Sequence, residues 1–271
     1  GEPFADAGTI AAFEDVDELG GLGISNRGRP HPLPESAPPQ SQGLIETHDG
    51  GLAEQVDAPV ERLHPLSSIS QPSLAALAEP VGVAVRGCNR ARIERDDSVL
   101  VIGAGSIGLL SGLVAREHGA RVSILSRYDH QSEAAKALGL HPVRESELDD
   151  FLAGERPGVV LETVGGSGDA GRLALEACAS GGRVVLLGIF VKPVKLNLLD
   201  LVTREINLTG SLMYGDHNGR SEMATAVEFV ERHADELGGL ITHEFPLAQV
   251  KGAFECALDK SRGALKVAVT V

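Results

Sequence analysis

The sequence predicts an α/β protein built on a doubly wound parallel sheet, and three observations predict it. Apolar runs recur at 98–102, 120–125, 158–162, 182–187 and 206–211, with helical patterns near 106–118, 129–139, 145–153, 169–179 and 197–204 between them. Strands alternating with helices at this spacing join in parallel through right-handed crossovers. Aromatic residues are scarce (seven Phe, two Tyr, no Trp), so the core rests on Val, Leu, Ile and Ala, as suits a sheet buried on both faces. The third observation is a glycine-patterned turn where the first of these strands meets the first helix.

That turn lies in Ser98-Val-Leu-Val-Ile-Gly-Ala-Gly-Ser-Ile-Gly108. Gly103 allows a tight turn, Gly105 lets backbone N–H groups approach a pyrophosphate, and Gly108 lets the helix pack against the strand. The helix N-terminus, with Ser106 and Ile107 in its first turn, presents N–H donors and a positive dipole end to phosphates. The pattern predicts a Rossmann-like dinucleotide-binding domain over 98–240. The next strand selects the nucleotide. An NAD-preferring site places Asp or Glu about 20 residues past the glycines, on the ribose hydroxyls. This chain has Ser126 and then Arg127 there. A small hydroxyl leaves room for a 2′-phosphate and a guanidinium can clamp it, so NADP(H) is expected over NAD(H).

The rest of the chain reads as follows. The 271 residues carry a formal charge of −14, which argues against a nucleic-acid-binding surface. Three widely spaced cysteines, Cys88, Cys178 and Cys256, imply no disulfide framework or CxxC metal site. No stretch reaches transmembrane length and nothing resembles a signal peptide, so a cytoplasmic setting without membrane contact is expected. Residues 1–50 are acidic, with five prolines between Pro30 and Pro39; they read as irregular, with a short helix over Ile10 to Leu19. Residues 51–70 resemble the β-rich end of a separate domain, and 72–97 form a helix and a connecting turn. Beyond the core, 219–237 reads as a long amphipathic helix, 247–259 as a helix, and 263–271 as a final strand.

From Gly51 onward the chain resembles the medium-chain dehydrogenase/reductases, in their zinc-type alcohol, polyol and butanediol dehydrogenase branch. The resemblance rests on Glu61-Arg-Leu-His-Pro-Leu66, Ala76-Leu-Ala-Glu-Pro80, Val101-Ile-Gly-Ala-Gly-Ser-Ile-Gly108 and Ala135-Lys-Ala-Leu-Gly139. It continues through Glu162-Thr-Val-Gly165, Gly181-Gly-Arg-Val-Val-Leu-Leu-Gly-Ile189, Leu240-Ile-Thr-His-Glu-Phe245 and Gly263-Ala-Leu-Lys266. It implies a remnant of a β-rich, GroES-like catalytic domain over 51–97, with a return to that domain over 241–271. It implies that Val164 and Gly165 line the adenosine and nicotinamide path. Leu187, Gly188 and Ile189 would run beside the nicotinamide, and Ser211 and Leu212 would present backbone to its carboxamide. Lys266 would stand near the pyrophosphate. Glu79 would face a catalytic zinc that polarises the substrate oxygen.

The sequence also departs from that branch. The branch's other zinc ligands are a Cys and a His-Glu pair, yet no cysteine precedes Cys88 and no Gly-His-Glu occurs. A catalytic zinc needs about three protein ligands and an open position. The expected activity is therefore hydride transfer between NADP(H) and an alcohol, polyol or matching ketone, zinc-assisted in the intact family, with most of the catalytic domain missing from this chain. The alternatives are a zinc-free reductase of the quinone-oxidoreductase type, or a non-catalytic NADP(H)-binding fragment. A homodimer or homotetramer is implied, paired through the strand at 206–211.

Overall fold

The computed structural model describes residues 9–11, 52–55, 63–66 and 71–270. The chain divides into two compact units: Pro80–Thr225, and Gly1–Glu79 together with Ala226–Val271. Ahead of the main sheet come β1 (Thr9–Ala11), α1 (Pro72–Ala75) and α2 (Ala78–Ala91).

The first unit holds a sheet of six parallel strands. These are β2 (Ser98–Ile102), β3 (Arg121–Ser126), β4 (His141–Arg144), β5 (Val159–Glu162), β6 (Arg183–Leu186) and β7 (Asn207–Gly210). Their spatial order is β4-β3-β2-β5-β6-β7. The chain runs outward from β2 through β3 to β4, then returns to β5 on the other flank of β2. The gap between β2 and β5 is thus the topological switch point, where an open α/β sheet binds its ligand. Connecting helices are α3 (Ser106–Glu117), α4 (Asp129–Ala137), α5 (Leu148–Gly154), α6 (Ala170–Ala177) and α7 (Leu198–Thr203). Leu109, Leu110 and Leu113 of α3 are completely buried. One core cluster joins Leu100, Ile102, Val160 and Val184 of the sheet to Ala174, Leu175 and Cys178. This is the Rossmann-like α/β fold read from the strand–helix alternation.

Two elements differ from the sequence reading. β4 was not among the five expected strands, because Pro142 interrupts a run of only four residues. It is accommodated at the sheet edge, where a missing N–H leaves no ladder bond broken. The helix expected over 219–237 starts later. Asn218 and Gly219 both take left-handed backbone (φ 51 and 78) and turn a two-stranded hairpin of β8 (Asp216–His217) and β9 (Arg220–Ser221). An Asn-Gly pair suits such a turn, and the apolar periodicity downstream concealed it. Helix α8 then covers Glu222–Arg232 and α9 covers Ala234–Leu237. Buried Glu222 accepts from the Gly215 N–H (2.7 Å), Asn89 Nδ2 (2.9 Å) and Arg86 Nη1 (3.0 Å), partners without which a buried carboxylate would be strongly destabilising.

In the second unit, β10 (Ile241–Pro246) runs parallel to β11 (Lys266–Thr270), and β1 lies antiparallel on the other side of β11. Residues 10 and 11, expected to open a helix, are therefore strand. The open edge of β11 offers a ladder, and β-branched Thr9 and Ile10 favour extended backbone. The rest of that expected helix lies outside the described residues. Helix α10 (Val250–Leu258) buries Ala253 and Cys256 against Ala264, Val267 and Val269. Among the described residues of 51–70, none is in a strand, although a β-rich end was expected there. All three cysteines are buried and none forms a disulfide. No helix among the described residues is long and apolar enough to cross a membrane.

Candidate dinucleotide site

All strands of the main sheet are parallel, so their C-terminal ends share one edge, and five of these ends, those of β2, β3, β5, β6 and β7, carry expected cofactor residues. At the end of β2, Gly103 takes left-handed backbone (φ 100). A Cβ there would stand 2.6 Å from Val164 Cγ2. A Cβ on Gly108 would lie only 1.8 Å from the Gly103 carbonyl oxygen, so these two glycines let the turn, the helix and the loop after β5 close on one another. Gly105 differs. It is the N-cap of α3, has φ −83, and nothing lies within 4 Å of where its Cβ would be. Its lack of a side chain serves no internal packing and leaves room for a ligand. Ser106 and Ile107 follow in the first turn, whose N–H groups have no acceptor within the helix. Thr163 Oγ1 fastens the turn by donating to the Ile102 and Gly103 carbonyls (2.9 and 3.1 Å).

At the end of β3 the two expected residues part ways. Ser126 is only 1% exposed, and its hydroxyl lies 2.7 Å from Ser132 Oγ, so the side chain faces the core. Arg127 is exposed, with Nε donating to Glu145 Oε1 at 3.1 Å. Arg144, which the sequence reading passed over, ends β4 in register with Ser126. It donates to the Arg127 carbonyl (3.1 Å) and pairs with Asp129. Each of the two guanidiniums is thus paired with an acid near the surface, Arg127 with Glu145 and Arg144 with Asp129.

Beyond the switch point, Val164, Ile189 and Leu212 expose apolar side chains to solvent, at 57%, 44% and 51%. Leu187 is buried instead, packed where a Cβ on Gly87 would stand. The Ser211 N–H extends the sheet by donating to the Leu186 carbonyl (2.8 Å). Its hydroxyl is buried without a hydrogen-bond partner. Gly165 and Gly188 allow the loops after β5 and β6 to touch: a Cβ on Gly188 would lie 2.2 Å from the Gly165 nitrogen.

Glu162 was quoted only as part of a motif and missed as a site residue. It is completely buried, and its Oε1 accepts from the Val164 and Gly165 N–H groups (2.6 and 2.8 Å). Burial pushes its carboxyl above the ordinary carboxylate range, opposed by the N–H groups of Gly165, Val164 and Gly188. A signal was present in the sequence, since an acid closing the apolar run Val159-Val-Leu-Glu162 is costly to bury without a purpose.

Glu79 and Lys266 belong to the other unit. Glu79 opens α2 and is partly buried; desolvation raises its pKa, and the Lys266 ammonium holds it back. Among the described residues no group of three or more His, Cys, Asp or Glu could hold a metal ion. The described residues by themselves do not fit a catalytic zinc, which needs about three ligands.

Residues 106–232 match the zinc-binding dehydrogenase family. The chain is 32% identical over 207 residues to sorbitol dehydrogenase of Bombyx mori, covering 72% of this chain and 57% of that protein. It is 29% identical over 233 residues to L-arabinitol 4-dehydrogenase of Hypocrea jecorina, covering 81% and 60%. Among solved structures, L-idonate 5-dehydrogenase from Escherichia coli superposes with a TM-score of 0.67 at 24% identity, over 80% of this chain and 60% of that one. By these likenesses the chain is similar to zinc-binding dehydrogenases that act as polyol dehydrogenases. It spans about three-fifths of the length of the curated relatives it matches.

Proposed function

We propose that this chain is a member of the polyol dehydrogenase branch of the medium-chain dehydrogenase/reductases, binds NADP(H) and serves hydride transfer between that cofactor and a small alcohol, polyol or matching ketone. The observation that carries the reading is Gly105, an open glycine at the mouth of a twelve-residue helix, beside a turn whose other glycines are needed for packing. The cofactor, when bound, supplies or accepts the hydride at its nicotinamide ring. The chain's own residues hold it. The first turn of α3 receives the pyrophosphate with N–H donors. Arg127, whose main-chain carbonyl is held by Arg144, faces the 2′-phosphate with its exposed guanidinium. Val164, Ile189 and Leu212 offer an apolar surface against which one ring face is sheltered from water. Strand β7, which ends the sheet among the described residues, and the exposed Leu198, Leu199 and Val202 of α7 support pairing with a second copy.

No step is assigned to zinc, because the described ligands are too few. That observation favours a second reading, a non-catalytic NADP(H)-binding chain. One experiment separates them: dissociation constants for NADPH and NADH, elemental analysis for zinc, and a screen of alcohols and polyols with NADP. Tighter NADPH binding with substrate-dependent reduction supports the first reading. Tighter NADPH binding with no zinc and no turnover supports the second. Equal affinity for the two cofactors refutes the NADP(H) assignment.

A further inference from the structure

We infer that Glu162 is a positioning residue for the nicotinamide half of the cofactor, its buried carboxylate joining the two loops that flank the ring. The inference rests on the dinucleotide reading above. Glu162 is the last residue of β5, directly beside the switch point. Arg127 stands on the β3 side of that point, which is the adenosine side, so the loops after β5 and β6 take the other end of the molecule.

One residue grips both loops. Its side chain accepts from the Val164 and Gly165 N–H groups at 2.6 and 2.8 Å. Its main-chain carbonyl accepts from the Leu187 and Gly188 N–H groups at 2.8 and 3.1 Å. The loops then interlock on their own account: the Gly166 N–H donates to the Ile189 carbonyl (2.7 Å), and the Val191 N–H donates to the Gly166 carbonyl (3.2 Å). Gly165 is left-handed (φ 59), and a Cβ on it would come within 2.5 Å of Ile189 backbone atoms. The two loops present Val164 and Ile189 to solvent on either side of this junction.

Internal balance explains only one oxygen of the carboxylate, Oε1, which meets the Val164 and Gly165 N–H groups. Glu162 is 0% exposed, yet Oε2 is buried with no hydrogen-bond partner, 2.6 Å from where a Gly188 Cβ would stand. An apolar residue would remove that unmet acceptor but leave the Val164 and Gly165 N–H groups without theirs. What the acid adds is fixed backbone at 164 and 165, and hence a fixed seat for the Val164 side chain opposite Ile189.

The test compares NADPH with 2′-phospho-ADP-ribose, which keeps the adenosine and pyrophosphate and lacks the nicotinamide. Dissociation constants for both are measured on the whole 271-residue chain, on Glu162→Gln and on Glu162→Ala, with thermal melts of each. Glu162→Gln keeps an acceptor on 164 and 165 but loses its charge, and NADPH weakens about threefold to tenfold. Glu162→Ala removes the acceptor and NADPH weakens further, while 2′-phospho-ADP-ribose stays within about twofold in both. Equal weakening of the two ligands, or unchanged NADPH binding in Glu162→Gln, overturns the inference and leaves the dinucleotide reading standing. Failure of the unmutated chain to bind either ligand removes both. If Glu162→Ala does not fold, Glu162→Gln alone decides.

Discussion

Replacing Gly105 and Gly108 by alanine, one at a time, separates a glycine kept for a ligand from one kept for packing. At Gly108 the new Cβ would sit 1.8 Å from the Gly103 carbonyl oxygen and 2.9 Å from Thr163 Oγ1. Ordinary contact is about 3.4 Å or more, so the backbone of the turn must move by well over an ångström. Overpacking of this severity falls at the upper end of about 1–3 kcal/mol. At about 2–4 °C per kcal/mol for a chain of this size, melting should fall by about 6–12 °C. At Gly105 no atom lies within 4 Å and φ is −83. Alanine there loses up to about 1 kcal/mol of N-cap preference and regains about 0.4–1 kcal/mol through a less flexible unfolded chain. The melting point should move by no more than about 2 °C. Binding should respond in the opposite sense. A methyl group at Gly105 separates the helix mouth from the pyrophosphate, and losing a charge-assisted hydrogen bond of about 1.5–3 kcal/mol weakens NADPH about 10- to 150-fold. Calorimetric melts and fluorescence titration of NADPH read both quantities. A Gly105→Ala variant that binds NADPH as tightly as the unmutated chain would refute the assignment of this turn to the pyrophosphate, and one that melts as low as Gly108→Ala would refute the packing argument.

Two further outcomes are expected. Arg127→Ala should weaken NADPH about tenfold or more while leaving NADH nearly unchanged, and it should barely alter stability, since its pair with Glu145 is exposed on both sides; Ser126→Ala should do the reverse, losing about 1 kcal/mol from the buried hydroxyl pair with no change in cofactor preference. A selectivity change in Ser126→Ala alone would show the preference assigned to the wrong residue. Glu79 has its folded-state pKa raised by burial, so its favourable contribution to folding is complete below the ordinary value of 4.5 and is lost as pH rises through the folded value. Glu79→Gln, which never charges, should therefore melt above the unmutated chain at pH 8 and converge with it below pH 4.5; a lower melting point at pH 8 would show that the charge is stabilising where it sits.

Periodicity and chemistry along the chain determined the sheet, its parallel sense and the glycine turn at its switch point. Each of these follows from local spacing: apolar runs with helices between them, and glycines at fixed offsets after a strand. The same local logic picked out Arg127, because an acid is missing where a ribose would need one. It passed over β4, where Pro142 is tolerated only because the strand lies at an edge, and it misread 219–237, where an Asn-Gly turn precedes the periodic segment. Which way a side chain points was decided by tertiary structure alone. Ser126 and Arg127 are neighbours in sequence, yet strand alternation sends one hydroxyl onto Ser132 and leaves the guanidinium outside. Glu162 is the clearest case. The chain shows only an acid after three apolar residues; pairing β5 with β6 brings Gly188 against it and gives that acid two loops to hold. A sequence records which groups are available, whereas distances between residues far apart in the chain exist only once the sheet has closed around them.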